Sequence, residues 1–367
     1  MNKKAPNEPV LEVENLKVNF HTYRGEVKAL NGVNFKLYKG EVLALVGESG
    51  CGKSVTALSI TGLLPENAYV LDGKILLKGE NLLEKSKEEM RKIRANEIAI
   101  VFQDPMTFLN PVLTIKTQLE EVFMLQEDTL KEAATIKKSK GSLRFMDLIK
   151  SGEKNKKQRE NAAVSKISKK ELKGIAEELC IDILKLVKLP DPERILKQYP
   201  FELSGGMRQR IMIAMALARR PSIFIADEIT TALDVTIQAQ ILHLLKELKE
   251  KIDTSVIMIT HDLSVAAEIA DRIAVMYGGN VVEIAPTVDL FKKPLHPYTQ
   301  MLLKAIPDIT NPRERLESIP GTVPEMINPP PGCRFHPRCK HAMPICTKER
   351  PKIKVVEKNH EVACFLF

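Results

Sequence analysis

Four uninterrupted apolar runs punctuate the chain: Val42–Val46, Ile98–Phe102, Ile223–Ala226 and Val256–Ile259. Runs this short, with no polar alternation, read as strands buried on both faces of a sheet. Between them lie segments whose apolar residues recur at helical spacing. One runs from Lys53 to about Leu63 and stops before Pro65. A second starts at Ser204, a natural N-cap, and continues through Ile211, Ile213, Ala214 and Leu217. A third carries Ile237, Ile241, Leu244, Leu245 and Leu248 on one face. Residues from about Val10 to Lys39 alternate apolar and polar instead, which predicts antiparallel strands with turns near His21–Gly25 and Tyr38–Gly40. Short strands follow around Lys74–Leu77. From Thr114 to about Tyr199 the pattern is helical, broken at Leu189-Pro190-Asp191-Pro192. The whole reads as an α/β fold.

Composition narrows the class. The 367 residues are 44% hydrophobic and 28% charged, as in ordinary globular proteins, and suffice for two domains. No apolar run approaches the roughly 18–20 residues that span a bilayer. Met1–Pro6 lacks the apolar segment of a signal peptide, so a cytosolic chain that reaches membranes by docking is expected. The formal net charge is +8, and Lys137–Lys173 alone holds 13 Lys/Arg against 4 Asp/Glu. Such a mixed basic stretch reads as a solvated or helical-hairpin insertion at residues 126–172, with a membrane-surface or nucleic-acid contact as the other reading. Of six cysteines, Cys51 and Cys180 stand apart and four crowd the last 35 residues. In a reducing compartment that clustering favours a metal over disulfides.

The candidate chemistry sits where the apolar runs end. After Val42–Val46 come Gly47, Glu48, Ser49, Gly50, Cys51, Gly52, Lys53 and Ser54, a G-x-x-x-x-G-K-S phosphate-binding loop between strand and helix. Glycines let backbone N–H groups curl around phosphates, and the helix N-terminus adds its dipole. Lys53 is placed to reach the β- and γ-phosphates, and Ser54 to ligate Mg²⁺. Ile98–Phe102 ends on Gln103, within reach of Mg²⁺ or an attacking water in such sheets. The run at 223–226 ends on Asp227 and Glu228. Two adjacent acids there are costly without a cation, so Asp227 reads as a water-mediated Mg²⁺ ligand and Glu228 as a general base. Val256–Ile259 leads to His261, beside the same loop. Ser204-Gly205-Gly206 opens a helix as a second anion site, or simply as a cap. Tyr23 either stacks on a base or is an exposed turn tyrosine.

In this order the motifs resemble an ATP-binding subunit of ABC transporters, over about residues 10–285. The discriminating element is Leu203–Gln209, a signature that other P-loop ATPases lack. The resemblance implies a RecA-like core with an antiparallel β subdomain and a helical subdomain at about residues 105–220. It also implies two such domains head to tail, with each ATP between the P-loop of one and Ser204-Gly205-Gly206 of the other. By the same resemblance Tyr23 stacks on adenine, Gln103 and Asp227 attend Mg²⁺, Glu228 is the base, His261 contacts the γ-phosphate and Asp234 lies in the loop linking the two sites. Ile229, Phe108 and Phe201 depart from the usual pattern without removing a catalytic group.

Residues 286–367 resemble the C-terminal region of oligopeptide/dipeptide importers, nearest the D-type subunit, through His296-Pro297-Tyr298-Thr299, Ile319-Pro320-Gly321 and Cys333, Cys339, Cys346 and Cys364. In that family the four cysteines go with an iron–sulfur cluster. Their spacing is unlike the common zinc pairs, yet four thiolates suit either 4Fe–4S or Zn²⁺, and unmetallated core thiols remain a third reading. The resemblance implies ATP-driven peptide uptake at the cytoplasmic face of the membrane. The implied partners are a second, related ATPase subunit in a heterodimer, two transmembrane permeases and an extracytoplasmic peptide-binding protein, with no direct nucleic acid. Two alternatives are the same engine serving another cargo, such as nickel, and a non-transport ABC ATPase acting on ribosomes or DNA. The single P-loop and the tail weigh against the latter.

Overall fold

A computed structural model describes residues 8–102, 108–154, 167–231, 234–252, 254–306 and 319–367. The chain forms two compact units, one of Met1–Arg94, Ile225–Glu228 and Asp253–Phe367, the other of Ala95–Phe224 and Ile229–Ile252. Among the described residues the strands are β1 (Pro9–Thr22), β2 (Gly25–Tyr38), β3 (Val42–Val46), β4 (Ala68–Leu77), β5 (Glu80–Asn81), β6 (Ile98–Val101), β7 (Ile223–Asp227), β8 (Ser255–Thr260), β9 (Arg272–Tyr277), β10 (Asn280–Pro286), β11 (Lys354–Glu357) and β12 (His360–Val362).

The first unit carries two sheets. The alternating N-terminal segment forms the antiparallel sheet β2-β1-β4-β5, and its inward residues Leu11, Val13, Leu16, Val18, Val33, Phe35 and Leu37 are buried. Gly25, at φ 127, lets the β1–β2 hairpin close over Tyr23 and Arg24. The other sheet has the strand order β11-β12-β10-β9-β3-β8-β7 in this unit. Every residue of β3 is buried, and β3 runs parallel to both β8 and β9, as its unbroken apolar sequence requires. Buried on both sides, β3 holds the loop that follows it on a rigid edge. The helix after the loop, Lys53–Thr61, ends short of Leu63 because Gly62 takes a left-handed C-cap at φ 63.

The C-terminal segment completes this unit through a buried carboxylate. Glu283 of β10 is fully buried and accepts hydrogen bonds from the N–H groups of Leu295 (2.7 Å) and His296 (2.9 Å). Its Oε1 also lies 2.7 Å from Nε2 of His360 in β12. One side chain thereby fastens two separate parts of the tail to the sheet.

The second unit is mainly helical, with helices Ile115–Met124, Glu127–Lys140, Phe145–Lys154, Lys169–Leu186, Pro192–Lys197, Gly205–Ala218 and Val235–Lys251. The break at residues 189–192 is a helix boundary. Asp191 adopts φ 44 and caps the next helix by accepting from the Arg194 N–H, with Pro192 in its first turn. The basic stretch differs from a solvated insertion where it is described. Leu130, Ala133, Ala134, Phe145 and Leu148 are buried, and Phe145 meets Phe123 edge-on at 6.2 Å. Arg220 ties the hairpin down, donating to the Leu148 carbonyl (2.8 Å) and pairing with Glu132 (3.2 Å). Lysines described in this hairpin form ion pairs, Lys140 with Asp147 (2.7 Å) and Lys138 with Glu171 (3.5 Å). No helix among the described residues is long and apolar enough to cross a membrane.

Candidate nucleotide site

The loop after β3 is shaped by its glycines. Gly50 and Gly52 adopt φ 76 and 105, where a side chain is strained. A Cβ on Gly47 would stand 2.2 Å from the Met276 carbonyl, so only glycine fits where the loop passes β9. Lys53 is buried at the helix start, and its Nζ donates to the carbonyls of Gly47 (2.9 Å) and Glu48 (3.1 Å). The Cys51 thiol is buried beneath the loop, and burial pushes its pKa up, so it packs as a neutral group.

The ends of β7 and β8 supply the acids and the histidine. Ser54 Oγ lies 3.1 Å from Asp227 Oδ1. Burial raises the Asp227 pKa, Ser54 opposes the rise, and the Glu228 charge adds to it. A buried acid in that state is poised to gain from a nearby cation. Glu228 stands in the left-handed region at φ 49, and its N–H donates to the Ile259 carbonyl of β8 (3.0 Å). This backbone holds its Oε1 3.9 Å from Lys53 Nζ and 3.4 Å from Nδ1 of His261. The His261 side chain is 52% exposed.

Of the residues singled out by sequence, Gly47–Ser54, Asp227, Glu228 and His261 thus come together in one unit. Tyr23 does not join them through any side-chain bond. It is 92% exposed in its turn, with the Arg24 guanidinium 5.4 Å from its ring centroid. Ser204-Gly205-Gly206 and Asp234 belong to the other unit and act there as helix starts. Ser204 accepts from the Met207 N–H (3.3 Å), and Asp234 accepts from the Ile237 N–H (2.9 Å). Gln103 lies outside the described residues.

Sequence reasoning missed the reach of the tail into the loop. The hydroxyl of Tyr298 accepts from the Glu48 N–H (3.1 Å), and Arg338 grips the Glu48 carboxylate. The only signal available was that both residues lie within tail motifs.

The four tail cysteines, with His296, Phe335 and Met343 among their neighbours, line one small cavity. Four thiols around one apolar space suit an iron–sulfur cluster or zinc as a donor set. Burial pushes the Cys333 thiol up to about 11 and raises those of Cys339 and Cys364. Among the described residues, no group of three or more His, Cys, Asp or Glu side chains is gathered closely enough to hold a metal ion. The four thiols thus share one cavity without forming such a group in this conformation.

The arrangement around the loop after β3 is that of a P-loop nucleoside triphosphatase. Comparison with known proteins places it more closely. Residues 30–231 match the family described as ABC transporter, and residues 282–346 match the oligopeptide/dipeptide transporter C-terminal region. The chain is 48% identical over 360 residues to the dipeptide transport ATP-binding protein DppD of Bacillus subtilis (strain 168), covering 98% of this chain and 95% of the relative. It is 44% identical over 359 residues to the oligopeptide transport ATP-binding protein AppD of the same organism, covering 98% and 97%. Among solved structures, the dimeric post-hydrolysis ATP-binding cassette MJ0796 bound to ADP and Pi is similar at 27% identity and a TM-score of 0.56, over 76% of this chain and 98% of that one. The chain belongs to the ATP-binding subunits of the ABC transporter family.

Proposed function

We propose that this chain is the ATP-hydrolysing subunit of an importer of dipeptides or oligopeptides, and that Glu228 is its general base. The peptide cargo is supported by the match of the tail to the oligopeptide/dipeptide region and by the names of the relatives. The observation that carries the chemistry is the convergence of Lys53, Ser54, Asp227, Glu228 and His261 on one loop.

In this reading the loop N–H groups and Lys53 bind the phosphates of ATP. Ser54 and Asp227 would hold Mg²⁺, which would supply positive charge to offset that of the phosphates. Glu228 accepts a proton from the attacking water, and His261, held at its carboxylate, faces the γ-phosphate. Tyr23 stacks on adenine and Gln103 reaches the metal or the water. Ser204-Gly205-Gly206 closes over the ATP of a second, related ATPase subunit, with Asp234 in the connecting loop. The pair sits at the cytoplasmic face of the membrane on two permeases, fed by an extracytoplasmic peptide-binding protein. We place the domain boundaries at residues 10–285 for the nucleotide-binding domain and 286–367 for the tail, after an N-terminal stretch of residues 1–9. Cys333, Cys339, Cys346 and Cys364 would hold a 4Fe–4S cluster, with zinc as the alternative. A bound cluster would cross-link the tail.

Glu228→Gln is the direct test. It should leave ATP binding intact and abolish turnover in the assembled transporter. Normal hydrolysis by this variant would refute the assignment of the base.

A further inference from the structure

Glu48 is the second residue of the phosphate loop, and all its polar groups are engaged. Its carbonyl accepts from Lys53 Nζ, and its N–H donates to the Tyr298 hydroxyl. Its carboxylate receives both arms of Arg338, at 2.8 and 3.2 Å. Two of these three links come from the tail, from positions 250 and 290 residues away in sequence.

Arg338 is itself held on every side. Its Nε donates to the Pro320 carbonyl (2.8 Å) and its second arm to that of Gly321 (3.3 Å). Its guanidinium lies 5.7 Å from the ring centroid of Tyr277, which packs edge-on against Tyr298 and Phe335. The backbone carrying it is a short 3₁₀ turn, His336–Arg338, between Cys333 and Cys339. There the N–H groups of His336 and Cys339 donate to the carbonyls of Cys333 (3.0 Å) and His336 (3.2 Å). The Arg338 side chain is 7% exposed and that of Glu48 is 25% exposed, so the pair is shielded from bulk water. Nothing in the chemistry of phosphate binding demands a carboxylate in this loop. Unpaired, it would repel the incoming triphosphate, and the peptide whose carbonyl accepts from Lys53 would be free to turn.

We propose that Arg338 is a positioning residue for ATP binding: it neutralises Glu48 and, together with Tyr298, fixes the peptide that orients Lys53. The tail is then part of the nucleotide site, and the loop cannot reach its binding geometry at full affinity without it. Preorganisation of this kind acts on affinity, because the cost of ordering the loop is met before ligand arrives. The inference rests on the reading of Gly47–Ser54 as the phosphate cradle.

The test is Mg-ATP binding to the full chain by isothermal titration calorimetry, arranged as a double-mutant cycle. Arg338→Ala should raise Kd roughly tenfold, and in a Glu48→Gln background the same change should have less than about a twofold effect. Arg338→Lys, which keeps the charge, should recover part of the affinity. A merely structural role for Arg338 would weaken binding by the same factor whether or not residue 48 carries a charge, and that result overturns the proposal. So does an unchanged Kd for a folded Arg338→Ala chain. Should Arg338→Ala fail to fold, Tyr298→Phe examines the other link and should raise Kd roughly threefold, whereas unchanged binding there counts against the proposal. Lys53→Ala is the control for the underlying reading. If it binds as well as wild type, the phosphate cradle is wrong. If it abolishes binding while Arg338→Ala does nothing, only this inference fails.

Discussion

Acidification should destabilise this chain through His296, and the size of the effect can be worked out. His296 is 2% exposed and caps the helix Pro297–Lys304, its Nδ1 accepting from the Tyr298 N–H at 3.0 Å. That bond requires a neutral ring, and burial pushes the pKa down to about 3. The unfolded chain takes up a proton near its ordinary value of about 6.5, and the folded chain does not. The stability His296 confers is therefore complete above that value and is lost as pH falls toward 3. Between about pH 8 and about pH 5.5 the loss is RT ln(1 + 10) less a negligible remainder, or about 1.4 kcal/mol. His296→Asn keeps an acceptor for the cap and cannot ionise. Its stability is offset by lost packing at every pH, so the informative quantity is the change between the two pH values. Urea unfolding followed by circular dichroism on both chains gives it directly. Glu283, which accepts from the His296 N–H, is present in both chains, so its contribution cancels in the comparison. Wild type should lose about 1.4 kcal/mol more than the variant. Parallel losses, within about 0.3 kcal/mol, would show that the folded chain protonates His296 as readily as the unfolded chain does.

Asp227 behaves in the opposite sense. Burial raises its folded pKa, so in apo protein its contribution falls as pH rises through that value from the acid side. Asp227→Asn should therefore match or exceed wild type in thermal stability at neutral pH without nucleotide, and it should lose the extra stabilisation that Mg-ATP gives. A large drop in apo stability would contradict this. Glu283→Ala strands two backbone N–H groups and the His360 ring in a sealed interior, and it should cost about 3–5 kcal/mol by chemical denaturation. A cost under about 1 kcal/mol would mean the fastening is dispensable. Anaerobic purification followed by iron analysis and a visible spectrum should find iron at the four tail cysteines. One equivalent of zinc without iron would replace the cluster with a zinc site.

The sequence was most legible where chemistry and period coincide. The apolar runs ending on Gly47, Asp227 and His261 announced both the strands and what the strands present, because a strand buried on both faces tolerates polar groups only where it exits. The basic stretch was legible only in part, as a helical hairpin but not as one with a buried face, for the converse reason. Leu130, Ala133, Ala134, Phe145 and Leu148 form a narrow apolar stripe among many lysines, and a count of charges hides a stripe that geometry reveals. The tail motif at His296–Thr299 is explained by structure: the histidine caps, the proline opens the first turn and the tyrosine delivers its hydroxyl to Glu48. No local period could announce a contact across 250 residues of chain.

Ser204 and Asp234 mark a different limit. Each accepts from an N–H in the first turn of its own helix, at Met207 and Ile237, so capping alone accounts for their residue types. The side chains that cap helices are the same ones expected beside a neighbouring nucleotide, and spacing cannot separate the two uses. Energy can. A cap is worth about 1 kcal/mol of folding stability and would be lost equally from the isolated chain and from the complex. A contact to a second subunit's ATP would leave the isolated chain as stable as any other cap variant and would appear only as lost turnover after assembly. Gly206 already points to a demand beyond capping within its own unit, since a Cβ there would stand 2.7 Å from the Ile237 side chain. The signature therefore carries two constraints within its own unit, the Ser204 cap and the close packing of its helix against the next one, and only loss of turnover after assembly would add a third.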